Sequence, residues 1–119
     1  MLKVGFGPFT VFRGHSRTST FLADTVYTVA NISENFKPGE TYNIGGVSHH
    51  SIEDLANVVL KVTDADPKLV EYRESEILTT KIKRVDISKA VRDLGHKNSY
   101  DLEEGMKITA NWMRSVYKL

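Results

Sequence analysis

The side chains best suited to metal chemistry lie together near the middle of the chain. His49 and His50 are adjacent, and Asp54 follows them. A zinc site needs three or four such ligands at suitable spacing. Adjacent histidines point in different directions, and no third histidine or cysteine lies at ligand spacing. We therefore interpret both histidines as loop residues that precede a helix, and predict no metal site.

A second candidate is the basic cluster of Lys81, Lys83 and Arg84. A nucleic-acid surface would combine such a cluster with interleaved aromatic side chains and a net basic domain. The cluster contains no aromatic residue, and the formal net charge of the chain is +1. We predict a solvated face or a minor phosphate contact, and no nucleic-acid partner.

Motifs for catalysis and cofactor binding are missing from the sequence. A dinucleotide site needs a glycine-rich turn between a strand and a helix, where backbone amides can approach a pyrophosphate. Gly5, Gly7 and Gly14 do not have that spacing, and none of the 5 tyrosines precedes a lysine by four residues. The G-x-S-x-G and H-E-x-x-H motifs are also absent. We predict no catalytic and no cofactor-binding residue, so the chain reads as part of a larger enzyme.

The elements that would position any site are organised around Gly39–Ala56. Tyr42–Ile44 have β-propensity and are predicted to form a short strand that ends at two glycines. Ser51 with Asp54 matches a capping box. Apolar residues then follow helical spacing, which predicts a helix over Ile52–Thr63.

The flanking segments predict further helices and strands. Asp24 is the predicted N-cap of a helix that reaches about Phe36. Asp86 is the predicted N-cap of a short helix that ends at Gly95. A second capping box, Asp101 with Glu104, opens a terminal helix. The other predicted elements are a start with little pattern at 1–7, a strand at 8–12, a turn at 64–67, a strand at 68–72 and a loop at 73–84.

Composition places the chain among ordinary single domains. It has 119 residues, of which 40% are hydrophobic and 26% charged. The absence of cysteine excludes disulfides and thiolate chemistry. No long apolar run or signal-peptide core is present, so a cytoplasmic protein without membrane contact is the default prediction.

Several short motifs follow one another in a recognisable order over nearly the whole chain. They are Arg-Thr-Ser-Thr-Phe-Leu-Ala-Asp at 17–24, Pro-Gly-Glu-Thr-Tyr-Asn-Ile-Gly-Gly at 38–46, Ser-Ile-Glu-Asp-Leu at 51–55, Asp-Ile-Ser-Lys-Ala at 86–90 with Leu-Gly at 94–95, Leu-Glu-Glu-Gly-Met at 102–106 and the residues 109–112. In this order they resemble the C-terminal portion of the extended short-chain dehydrogenase/reductases, the NAD-dependent epimerases and dehydratases of nucleotide-diphosphate sugars.

The resemblance implies an α/β fold with a small sheet of about three strands and about four helices, without the Rossmann lobe. Residues 1–119 would be a single lobe that binds the nucleotide-diphosphate sugar. In the family an N-terminal portion carries the NAD site and the Tyr-x-x-x-Lys pair, so this chain would bind no NAD. The implied reaction is hydride transfer from a sugar carbon to NAD, epimerisation or elimination, and return of the hydride.

The resemblance also assigns substrate-binding residues. Arg17 matches an arginine that contacts the substrate diphosphate, and a guanidinium donates to phosphate oxygens in a bidentate fashion. Arg73 resembles a second diphosphate arginine, with the acidic Glu76 three positions on to reach the ribose or order the arginine. From the residues alone, Arg17 could instead pair with Asp24 or solvent, and Arg73 could be a surface arginine. Ser19 stands where relatives often carry an aromatic residue.

A different class of function also fits the sequence. A lobe separated from its two-lobed enzyme exposes a formerly buried apolar face. The chain would then be a non-catalytic interaction or regulatory module derived from the family. In either case we expect it to pair with an N-terminal Rossmann portion or to self-associate.

Overall fold

The computed structural model describes residues 8–35, 37–75 and 77–118. Within these ranges the elements are β1 (Phe9–Phe12), β2 (Ser16–Thr18), α1 (Leu22–Asn31), β3 (His49–Ser51), α2 (Ile52–Thr63), a 3-10 turn (Pro67–Leu69), β4 (Val70–Arg73), α3 (Ser88–Leu94) and α4 (Leu102–Tyr117). This order of short strands and four helices confirms the predicted α/β class.

The described strands form two small sheets of two strands each rather than one. β1 pairs with β4 in parallel, with Phe12 opposite Arg73. β2 pairs with β3 in antiparallel fashion, with Arg17 opposite His50. The histidines therefore lie in a strand, and their interpretation as loop residues was wrong. The strand predicted at Tyr42–Ile44 is not formed among the described residues, because no strand lies beside it to pair with.

Two helix starts confirm the predictions made from local sequence. At α2 the Ser51 hydroxyl accepts from the Asp54 amide at 2.9 Å, and the Asp54 carboxylate accepts from the Ser51 amide at 3.2 Å. At α4, Asp101 and Glu104 make the same reciprocal pair at 2.8 and 3.4 Å. These side chains occupy amides that the first helical turn leaves without partners. The bounds of α2 are those predicted.

The short helix α3 ends at Gly95 as predicted, but the prediction of Asp86 as its N-cap was wrong, because Ile87 occupies the N-cap position. The Asp86 carboxylate accepts from the amide and hydroxyl of Ser88, at 2.9 and 2.6 Å. These hydrogen bonds lower the pKa of Asp86. At the other end Gly95 has φ 63°, the left-handed conformation that glycine adopts without steric cost.

The predicted N-cap role of Asp24 is wrong. α1 begins at Leu22 with Phe21 as its cap residue, so Asp24 lies inside the first turn and is buried. Its two carboxylate oxygens accept from the Ser99 amide, at 3.2 and 3.1 Å. The helix ends at Asn31 rather than near Phe36, which itself lies outside the described residues.

The described part of the chain has a sparse apolar core. Its buried hydrophobic side chains are Val11, Ala90 and Leu94. The radius of gyration is 17.0 Å and the thinnest dimension 19 Å, whereas a compact domain of this length has a radius near about 13.5 Å. Much apolar surface therefore stays exposed. No helix in the described ranges is long and apolar enough to cross a membrane.

Candidate functional site

Arg17 lies in the β2–β3 ribbon, on the same face as His50. Residues directly opposite in an antiparallel pair project to the same side, and these two are such partners. One guanidinium nitrogen of Arg17, Nη1, donates to the carbonyl oxygens of Ser16 at 2.7 Å and Lys81 at 2.9 Å. Nε and Nη2 have no hydrogen-bond partner among the described residues. The structure thus holds the Nη1 end of the guanidinium and leaves Nε and Nη2 unpaired among the described residues.

The pairing of Arg17 with Asp24 that the sequence left open does not occur. Both oxygens of Asp24 face the Ser99 amide instead. Arg17 is tied to the loop that carries Lys81, whose amino group is not part of this contact. Lys81, Lys83 and Arg84 are all exposed, as expected of a solvated face.

Arg73 ends β4 and pairs with a neighbour on its own strand. Its Nη2 lies 3.2 Å from Glu71 Oε1, and the arginine side chain is 58% exposed. Its backbone carbonyl accepts from the Arg13 amide at 2.9 Å, at the start of the turn that leads into β2. Arg73 and Arg17 therefore flank the turn at 13–15, without contacting each other among the described residues. Glu76, the predicted acidic partner, lies outside the described residues.

The histidine-rich region shows polar pairs rather than a metal cluster. His49 Nε2 lies 2.7 Å from the Ser16 hydroxyl, and the buried His15 Nε2 lies 3.3 Å from the Ser75 hydroxyl. His49 Nδ1 is buried without a partner among the described residues. Within the described ranges no group of three histidine, cysteine, aspartate or glutamate side chains could hold a metal ion.

A cavity of about 420 Å³ opens beside the ribbon, and sequence reasoning missed it. It is bounded by the β2–α1 connection, by the segment before β3 and by the first turns of α4. His50, the strand partner of Arg17, lines it, as do Ser19 and the stacked rings of Phe21 and Tyr100, whose centroids are 4.6 Å apart. The only advance sign was the small Ser19 at a position where the resemblance favours an aromatic residue.

The described residues do not fit the pyrophosphate of NAD. Gly14, one of the three glycines whose spacing does not match the dinucleotide fingerprint, follows β1 with φ 74° and leads into β2 instead of a helix. The dinucleotide-binding fingerprint places the pyrophosphate against the backbone amides of a helix that begins at such a turn. Gly5 and Gly7 lie outside the described residues.

The chain is similar to a known nucleotide-sugar enzyme. The chain is 30% identical over 89 residues to a dTDP-glucose 4,6-dehydratase of Streptomyces griseus. The aligned region is 75% of this chain and 27% of the dehydratase. The resemblance to the extended short-chain dehydrogenase/reductases is confirmed. No family model matches the chain.

Solved structures of these epimerases and dehydratases share the fold. A UDP-glucuronic acid 4-epimerase of Bacillus cereus, in complex with UDP-glucuronic acid and NAD, superposes with a TM-score of 0.79 at 26% identity, covering 92% of this chain and 36% of that one. A dTDP-glucose 4,6-dehydratase of Streptomyces venezuelae, with NAD bound, gives 0.81 at 21% identity, covering 94% and 35%. The chain thus spans about a third of the length of these short-chain dehydrogenase/reductases, consistent with their C-terminal lobe.

Proposed function

We propose that this chain is the substrate-binding lobe of an NAD-dependent nucleotide-diphosphate-sugar epimerase or dehydratase, and that it has no catalytic activity alone. The observation that carries the proposal is the match to a dTDP-glucose 4,6-dehydratase over 75% of the chain. In this proposal residues 1–119 act as one lobe, and NAD binds to a separate portion. We assign no reaction step to the described residues, because they do not fit the cofactor.

Arg17 is the proposed diphosphate ligand. Its Nη1 is anchored to two backbone carbonyls, which fixes the plane of the guanidinium. The remaining Nε and Nη2 edge can donate two parallel hydrogen bonds to phosphate oxygens. An anchored arginine loses little further conformational entropy on binding, which favours affinity.

Arg73 is a proposed second contact, and Glu76, which lies outside the described residues, is a proposed third. To reach a phosphate, the guanidinium must leave Glu71, an exchange of one exposed ion pair for another. Exposed pairs contribute little, so this exchange costs little. In the same proposal the Asn43–Gly46 segment shapes the lobe.

The second candidate function is a non-catalytic interaction module of the same descent. The sparse core and the exposed apolar side chains of α1 favour this function, since a partner would remove such apolar surface from water. A nucleotide-sugar ligand is not needed for this function, and ligand titration distinguishes the two.

Isothermal titration with dTDP-glucose, UDP-glucose and UDP-glucuronic acid tests the first proposal. We expect at least one of them to bind, and Arg17→Ala to weaken its binding about 10- to 100-fold, the usual worth of charge-assisted hydrogen bonds. Arg84→Ala, an exposed arginine of the solvated face, is the matched control and should bind as the unchanged chain does. Flat traces with all three sugars, or NAD-dependent turnover by the chain alone, would contradict the proposal.

A further inference from the structure

The cavity beside the β2–β3 ribbon has the size and the fixed walls of a ligand site. Its volume of about 420 Å³ lies within the range of small-molecule pockets. The Asn98 side chain joins two of its walls, because its Oδ1 accepts from the Val47 amide at 2.6 Å and its Nδ2 donates to the Gly45 carbonyl at 3.3 Å. The Ser99 amide is in turn held by the buried Asp24. A ligand therefore enters a preformed space and pays little to order the surrounding loops.

An aromatic wall closes one side of the cavity. The rings of Phe21 and Tyr100 lie 4.6 Å apart at their centroids and are tilted by 53°. A Cβ at Gly105 would lie 3.1 Å from Phe21 Cδ2, so this ring packs closely against α4. The face of an aromatic ring carries negative electrostatic potential and attracts C–H groups. The wall therefore suits a ligand ring that presents C–H groups on one face, as a pyranose does.

The polar side chains of the cavity have free hydrogen-bonding capacity. Ser19, Ser48 and His50 line it, and their side chains have no hydrogen-bond partner among the described residues. Asp101 and Glu104 also line it, and each uses one carboxylate oxygen in the capping box of α4. The second oxygen of each is unpaired in the described part of the chain. Hydroxyl and imidazole groups donate or accept, whereas carboxylates only accept, so the cavity offers both kinds of partner.

The charges of the lining argue against other classes of ligand. No lysine or arginine lines the cavity within the described ranges, and the two carboxylates repel a phosphate. An organic cation could pair with the carboxylates, but it has no acceptor for the donors of His50 and the serine hydroxyls. A purely apolar ligand would leave all of these groups without partners. A neutral ring with several hydroxyls matches the aromatic wall, the donors and the acceptors together.

We propose that this cavity binds the ring of an unphosphorylated sugar. The C–H face of the sugar lies against Phe21 and Tyr100, and its hydroxyls bond to His50, Ser48 and the free carboxylate oxygen of Glu104. Arg17 is not among the lining residues. The site therefore needs no diphosphate, and the inference goes beyond the proposed function without depending on it.

Amide chemical-shift mapping by NMR on the full chain tests the site. The probes are methyl α-D-glucopyranoside, methyl β-D-galactopyranoside and methyl α-L-rhamnopyranoside, with choline and inorganic phosphate as charged comparisons. We expect at least one glycoside to shift the amides of Ser48, Ser99 and Glu104 in a saturable manner, with a Kd below about 10 mM. Choline and phosphate should leave these amides unchanged. Absence of saturable shifts with every glycoside, or a lower Kd for choline or phosphate, would overturn the proposal.

Variants at Ser19 locate the binding within the cavity. Ser19→Phe places a ring in the space and should raise the Kd of the glycoside about tenfold or more. Ser19→Ala keeps the space open and should raise it by less than about tenfold, the worth of one hydrogen bond. Arg84→Ala, outside the cavity, is the control and should not change it. Equal Kd values for Ser19→Phe and the unchanged chain would contradict the proposal.

A second measurement does not depend on how Ser19→Phe folds. In the unchanged chain, intermolecular nuclear Overhauser effects should join the ring protons of the bound glycoside to the aromatic protons of Phe21 and Tyr100. Their absence at saturating glycoside would overturn the proposed position of the sugar.

Discussion

The imidazole of His96 joins Gly45 to Thr28: its Nε2 lies 2.8 Å from the Gly45 carbonyl oxygen, and its Nδ1 lies 2.6 Å from the Thr28 hydroxyl. The ring is 3% exposed. The ring therefore connects α1, the segment that contains Gly45 and the residues directly after α3 through polar contacts. Few apolar side chains are buried among the described residues, so this polar contact contributes to holding the three segments together.

We predict that His96→Ala lowers the free energy of unfolding by about 1–3 kcal/mol, because it removes the buried hydrogen bonds to the Gly45 carbonyl and the Thr28 hydroxyl. Urea unfolding monitored by circular dichroism measures the change. The control His50→Ala removes a half-buried imidazole without a hydrogen bond among the described residues, and should change stability by less than about 0.5 kcal/mol. Equal losses in both variants would contradict this role of His96.

Gly46 permits close contact between two chain segments. A Cβ at this position would lie 1.8 Å from the Ser19 carbonyl oxygen, whereas a Cβ at Gly45 would meet the Val85 side chain at an ordinary 3.5 Å. We expect Gly46→Ala to destabilise the chain by about 3 kcal/mol or more, since backbone must move to relieve the overlap. Gly45→Ala is the matched control and should be tolerated. Similar thermal unfolding midpoints for the two variants would rule out the close approach.

Features set by neighbouring residues could be predicted from the sequence. The capping boxes at Ser51 and Asp101 were found because each joins residues three apart, and the bounds of α2 followed from them. The partner of Asp24 could not be predicted, since Ser99 lies 75 residues away. The strand at Tyr42–Ile44 depended on a neighbouring strand, which local composition does not reveal.

The candidate site also depends on contacts between residues far apart in sequence, which local patterns could not predict. The type and position of Arg17 suggested phosphate binding, but its anchor is the Lys81 carbonyl, 64 residues further along the chain. The cavity forms where three segments that are far apart in sequence meet, so local sequence patterns could not predict it. The small side chain of Ser19 was the one local indication of space there. Whether Arg17 binds a diphosphate stays a prediction.

Glu103 gives the stability of the chain a defined acid dependence. Hydrogen bonds from Lys107 and Lys61, each at 2.7 Å, lower its pKa to about 2 from the usual 4.5. Because the pKa of Glu103 is lower in the folded state, these hydrogen bonds contribute fully to the free energy of unfolding above pH 4.5. Their contribution is lost as the pH falls to about 2. We expect Glu103→Gln to flatten the pH dependence of unfolding within this window, where the contact joins α2 to α4. Glu34→Gln, at an exposed glutamate, is the control, and an unchanged profile in Glu103→Gln would contradict the prediction.

Ser19 lies on the cavity beside the stacked pair of Phe21 and Tyr100. A phenylalanine at this position would bury apolar surface in the space and meet these two rings, so Ser19→Phe should stabilise the chain by about 0.5–2 kcal/mol, as cavity-filling changes do. Ser19→Ala removes the hydroxyl without filling the space and should be close to neutral. Differential scanning calorimetry compares the three proteins. A lower unfolding temperature for Ser19→Phe than for Ser19→Ala would mean that the space does not accept a ring, and that its polar side chains are needed as they stand.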